Sequence, residues 1–116
     1  MITDSMKRFT DTPIWDSKCN KLFWDMYLKG QDKNQTKYAS ISEIEDLGLF
    51  PLTYIEAAEY DCLHDEGIEF GEKLKSQGVP VEVHDMEGTC HGYETAIKSS
   101  IVEKCLEWRM EWIRSL

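Results

Sequence analysis

The stretch EYDCLHDEG, residues 59–67, follows directly on an apolar run and gathers Glu59, Asp61, Cys62, His64, Asp65 and Glu66. A second group, Cys90-His91, lies in EGTCHGYE, residues 87–94. Several chemistries could use these side chains. A carboxylate that accepts a proton from imidazole Nδ1 fixes the tautomer and stabilises the imidazolium, leaving Nε2 to act as a base toward a nucleophile. Asp61 and His91 could form such a pair; the plainer alternative is a surface or capping acid and an ordinary loop histidine. Cys62, His64, Cys90 and His91 offer the two S and two N ligands that tetrahedral zinc accepts, but Cys62-x-His64 and Cys90-His91 are tighter spacings than zinc motifs use. A cysteine nucleophile is a third option. However, Cys90 abuts His91 and Cys62 abuts Asp61, neighbours in an extended loop point apart, and neither cysteine follows a strand–elbow–helix pattern. Asp65 and Glu66 could be catalytic carboxylates, or charges that complement the positive end of a helix.

The flanking elements decide which of these groups can meet. LTYIEAA, residues 52–58, is short, rich in β-formers and largely apolar, and reads as a strand buried on both faces, as in parallel sheets. Residues 65–77 place Ile68, Gly71 and Leu74 on one helical face, with Gly78 as the stop. VPVEVHDM, residues 79–86, alternates β-branched residues and reads as a second strand. From Glu94 to the end, Ile97, Ile101, Val102, Cys105, Leu106, Trp108, Trp112 and Ile113 mark a long amphipathic helix, in which Trp108 and Trp112 serve as core or interface anchors rather than as a ligand box with Trp15. A strand–helix–strand unit of this length implies parallel strands with a right-handed crossover. Functional groups in such sheets collect beyond the carboxyl ends of the strands. The loops at 59–65 and 87–93 should therefore lie side by side, which favours an encounter of Asp61 with His91.

Upstream, residues 1–15 read as loop. Residues 16–28 read as a helix capped by Asp16 or Ser17, with Leu22, Phe23, Met26 and Tyr27 on one face and Gly30 as the stop. GQDKNQTKYAS, residues 30–40, reads as a polar loop, and Ile44, Leu47 and Leu49 fall in a short turn ending at Pro51. The bulk properties exclude some functions. One domain is expected from 116 residues. The net charge of −9, with acids interleaving the basic clusters, argues against nucleic acid or an anionic membrane surface as a partner. Without a signal-like N-terminus or a run of about 20 apolar residues, a soluble cytoplasmic protein is expected. The four cysteines, Cys19, Cys62, Cys90 and Cys105, form no CxxC pair and read as free thiols.

Residues 51–94, PLTYIEAAEYDCLHDEGIEFGEKLKSQGVPVEVHDMEGTCHGYE, resemble the C-terminal part of an α/β-hydrolase of the hormone-sensitive-lipase-like esterase branch. The matching residues are Glu59-Tyr60-Asp61, Leu63, Asp65-Glu66-Gly67, Gly78-Val79-Pro80, Gly88 and His91-Gly92, with Tyr93 where that branch usually has Phe. FTDTPIWDSKCNKLFWDMYL, residues 9–28, is similar, less distinctively, to the region that precedes this part. The resemblance implies a truncated α/β-hydrolase fold with few parallel strands and flanking helices. Residues 1–50 would form a connecting segment and 51–116 the strand–helix–strand–helix end of the fold. It also implies that Asp61 and His91 are the acid and base of a Ser–His–Asp triad for carboxylic ester hydrolysis, in the chain order Ser, Asp, His, with no cofactor and no metal. No serine of the chain sits in a G-x-S-x-G elbow, and no HGGG-type oxyanion segment is present. The chain by itself is therefore expected to be inactive, and to take a small ester only if complemented by an N-terminal part. An unpaired strand edge and uncovered apolar helix faces lead to the expectation of a homo-oligomer.

Overall fold

A computed structural model describes residues 2–31 and 39–116. The helices are α1 (Asp4–Arg8), α2 (Ser17–Tyr27), α3 (His64–Ser76) and α4 (Ser100–Arg114), and the strands are β1 (Thr53–Ala58) and β2 (Val81–Met86). The strands pair in parallel, Thr53 opposite Val81 through Ala58 opposite Met86, and α3 makes the crossover between them. Most of the loop expected at 30–40 lies outside the described residues.

One face of the sheet is apolar and packs on α3. The helix comes so close that a Cβ added at Gly71 would stand 2.6 Å from Val83 Cγ2, and one at Gly67 would touch Ala57 and Ile55. Glycine at 71 is thus required by packing. The core continues from this face through Leu47, Phe70, Leu74 and Val79, with Ile44, Phe50, Ile55 and Val81 against it. Phe70 meets Phe50 edge to face. Gly78, at φ +79°, reverses the chain after α3, and the Val79 N–H closes on the Leu74 carbonyl at 3.1 Å. Val79 and Pro80 therefore belong to the connection, and β2 starts at Val81 rather than at 79.

The other face of the sheet is covered by α4 and is not apolar. Trp108 stacks on His84 at 4.5 Å between ring centroids and Trp112 lies on Tyr54 at 5.5 Å, while Arg109 is hydrogen-bonded to Glu56. The expectation that residues 52–58 are buried on both faces is corrected accordingly: only Ala57 is fully buried in β1 and the rest are half-buried. The long C-terminal helix also starts later than its periodicity suggested. Tyr93–Thr95 form a single 3-10 turn, and the helix opens at Ser100 after an extended Ser99. Ile97 is 75% exposed in the connection, so its helical spacing was coincidental.

Residues 1–15 are not all loop. Thr3 caps α1 by accepting the Met6 N–H, and the helix is tied to α3: the Ser5 N–H donates to Asp65 Oδ2 at 2.7 Å and the Ser5 hydroxyl to the Cys62 carbonyl at 2.9 Å. In α2 the Asp16 carboxylate accepts the Cys19 N–H at 2.8 Å, the expected cap. Leu22, Phe23, Met26 and Tyr27 are nonetheless each more than half exposed, so the apolar face of α2 is uncovered among the described residues.

Candidate active site

Asp61 and His91 meet. The chain turns immediately after β1, the Asp61 N–H closing on the Ala58 carbonyl, and the Asp61 carboxylate is nearly buried. Its Oδ1 accepts the Leu63 N–H at 3.0 Å. Its Oδ2 lies 2.7 Å from His91 Nδ1, so the neutral imidazole that satisfies this contact carries its proton on Nδ1 and its lone pair on Nε2. The His91 side chain is 37% exposed, enough for Nε2 to reach a reacting group. Among the described residues, no hydroxyl or thiol is hydrogen-bonded to Nε2.

The loop that carries His91 is fastened along its length. The Tyr60 N–H donates to the Thr89 carbonyl at 2.8 Å, and Gly88 N–H donates to Glu59 Oε2 at 2.7 Å. Buried Thr89 donates its hydroxyl to the Met86 carbonyl. Gly92 adopts the left-handed conformation, φ +69°, and Tyr93 donates its hydroxyl to Glu56 Oε2 at 2.6 Å. Above the imidazole, Trp15 stacks at 5.7 Å and 28° and is itself packed on Phe23. The preceding Ile14 has φ +69°, a rare state for a β-branched residue, and reaches the space over Gly92. A groove of about 560 Å³ runs along the edge of β1 that is unpaired among the described residues, lined from Thr53 and Ile55 past Phe70 to Asp61 and His91.

The remaining acids and thiols of the two loops have other partners. His64 bridges two carboxylates, Asp65 at 2.9 Å from Nδ1 and Asp85 at 3.1 Å from Nε2. Burial opposes the His64 charge, but these hydrogen bonds outweigh it and raise the pKa above its ordinary value. The His64 hydrogen bond, then the Ser5 N–H, hold the Asp65 carboxyl below the usual carboxylate range. Asp65 therefore fastens α1 to the start of α3, and Glu66 accepts the Ser42 hydroxyl at 2.6 Å. Burial, reinforced by the neighbouring Asp61, pushes the fully buried Cys62 thiol up to about 12, the opposite of what a nucleophilic thiolate needs. Among the described residues no three of the His, Cys, Asp and Glu side chains come together as a metal site, so Cys62, His64, Cys90 and His91 do not converge. All four cysteines are free.

Glu56 was not singled out from the sequence. A lone acid inside LTYIEAA was the available signal, because a carboxylate in an apolar strand needs partners. It has four: Arg109 Nε and Nη2, the Tyr54 hydroxyl at 2.8 Å and the Tyr93 hydroxyl.

Comparison with known proteins identifies the family and the fold. The family model described as alpha/beta hydrolase fold matches residues 2–95. Esterase LipI of Mycobacterium tuberculosis is 39% identical over 90 residues, covering 77% of this chain and 28% of that protein. Among solved structures, a bacterial heroin esterase superposes with a TM-score of 0.79 at 36% identity, over 88% of this chain and 34% of that one. Esterase LipW from Mycobacterium marinum superposes at 0.85 and 26% identity, over 90% and 33%. The chain thus spans about a third or less of the length of these relatives.

Proposed function

Because this chain belongs to the alpha/beta hydrolase fold family, in its hormone-sensitive-lipase-like esterase branch, we propose that it supplies the acid and base of a carboxylic ester hydrolase. The serine would come from a polypeptide outside these 116 residues. The observation that carries the reading is the 2.7 Å contact of His91 Nδ1 with Asp61 Oδ2 at the adjoining carboxyl ends of two parallel strands. In this role Nε2 of His91 takes the proton of the serine hydroxyl as its oxygen attacks the ester carbonyl, then delivers it to the departing alkoxide. The same nitrogen activates water to release the acid. Asp61 keeps the imidazole in the required tautomer and stabilises the imidazolium through each transfer.

The groove along β1 leads to this pair, which supports entry of the nucleophile-bearing strand from that side. The test is co-expression with a polypeptide carrying the front two-thirds of a related esterase, including its G-x-S-x-G elbow. Turnover of a short nitrophenyl ester is expected for the pair and not for this chain alone. It should be lost with His91→Ala and reduced about 10⁴-fold in kcat with Asp61→Asn, which favours the wrong tautomer. A co-folded pair whose turnover ignores both substitutions would refute the assignment.

A second reading is favoured by one observation: β1 has a single hydrogen-bonded neighbour among the described residues. An unpaired edge of this kind is a template for another strand, and a second copy of the chain could supply it, giving a homo-oligomer with no chemistry.

A further inference from the structure

The face of the sheet under α4 holds a buried charge cluster that the triad does not use directly. The Glu56 side chain is only 9% exposed, so its charge must be met by donors. Arg109 grips it through two nitrogens, Nε on Oε1 and Nη2 on Oε2. Tyr54 donates to Oε1 and Tyr93 to Oε2. Burial opposes ionisation of Glu56, and the hydrogen bonds from Arg109, Tyr93 and Tyr54 overcome it, leaving its pKa below the ordinary value. Burial and the Glu56 carboxylate both raise the Tyr93 hydroxyl, which remains a donor. Tyr93 is two residues after His91, and the intervening Gly92 is in the left-handed turn. Arg109 lies on α4, beyond residues 2–95 of the family match.

We infer that Glu56 is a positioning residue for His91: through Tyr93 it fixes the far end of the turn that presents the imidazole to Asp61, and through Arg109 it makes α4 a support for that turn. The near end is already held by Gly88, Thr89 and their partners. With both ends fixed, the imidazole has one orientation in which Nδ1 faces Asp61. Releasing Tyr93 frees the ring to rotate and lets the proton reside on either nitrogen. This inference rests on the reading of Asp61 and His91 as an acid–base pair, and its test separates the two.

The measurement is the tautomer of His91 in the intact chain by long-range ¹H–¹⁵N correlation, at a pH where the imidazole is neutral, with Asp61→Asn as reference. The wild type is expected to show the Nδ1–H form, and Asp61→Asn to lose it. Glu56→Gln and Tyr93→Phe should each give a mixture displaced toward the Asp61→Asn pattern, while the signals of His64, held by Asp65 and Asp85 and touching neither residue, stay in place. Should Glu56→Gln unfold the chain, Tyr93→Phe still decides, since it leaves Arg109 on Glu56. A folded Tyr93→Phe chain with the wild-type His91 pattern, beside an altered Asp61→Asn, overturns the inference alone. An Asp61→Asn chain identical to wild type overturns the acid–base reading and this inference with it.

Discussion

All three histidines in this chain sit against carboxylates, His84 beside Glu82, and the surroundings of His91 and His64 give those two different work. His91 has one acceptor and an open second nitrogen, the arrangement of a base. His64 has an acceptor on each nitrogen, the arrangement of a structural cation. Because Asp65 and Asp85 raise the pKa of His64 in the folded chain, its contribution to stability is fully present below the ordinary value of 6.5. That contribution is lost as pH rises through the raised folded value. The Tm deficit of His64→Gln relative to wild type should therefore be largest near pH 6 and shrink toward pH 9. A deficit that grew with pH would show that His64 is bound as the neutral imidazole. The meeting of Asp61 with His91 was legible from sequence because parallel neighbours share their carboxyl edge. The Glu56–Arg109 clamp was not: it joins residues on a strand and a distant helix, and no periodicity encodes such a pairing.

At the scale of elements, β1, α3 and β2 could be read because each carries a local pattern long enough to register. These patterns are a short β-rich run, an apolar face ending in a left-handed glycine, and alternating β-branched residues. The elements that escaped are those fixed by tertiary contact. Helix α1 is only five residues long, too short for periodicity, and is held by Ser5 on Asp65 and Cys62. The start of α4 was misplaced because Ile97 fits the helical spacing while the backbone is already in a 3-10 turn and an extended link. The close approach of Gly71 to Val83 gives a direct test of the crossover packing. A methyl group at 2.6 Å from Val83 Cγ2 must push α3 off the sheet, so Gly71→Ala should cost about 1–3 kcal/mol despite the higher helix propensity of alanine. Chemical denaturation measures this directly, and an unchanged or raised stability would mean that α3 does not seat on Val83.

As a whole molecule, the chain has a well-formed corner and an open side. The corner is the crossover unit with its core of Leu47, Phe70, Leu74 and Val79. The open side is the edge of β1 that has no strand neighbour among the described residues, together with the apolar face of α2. A two-stranded sheet is marginal alone, and under the proposed readings the open side is where the serine-bearing part or a second copy of the chain packs. Sedimentation of the purified chain at micromolar concentration should show species larger than 13.5 kDa, and Phe23→Glu with Met26→Glu should shift them toward monomer if α2 forms the contact. A compact, stable monomer would contradict the self-associating reading.

The central claim is that His91 acts as base toward a hydroxyl outside these 116 residues, and covalent trapping tests it most directly. A nitrophenyl phosphonate applied to the chain co-assembled with an elbow-bearing partner should label the partner's serine, at a rate that collapses with His91→Ala in this chain. Labelling of a serine or cysteine within these 116 residues, or a labelling rate indifferent to His91, would contradict the account.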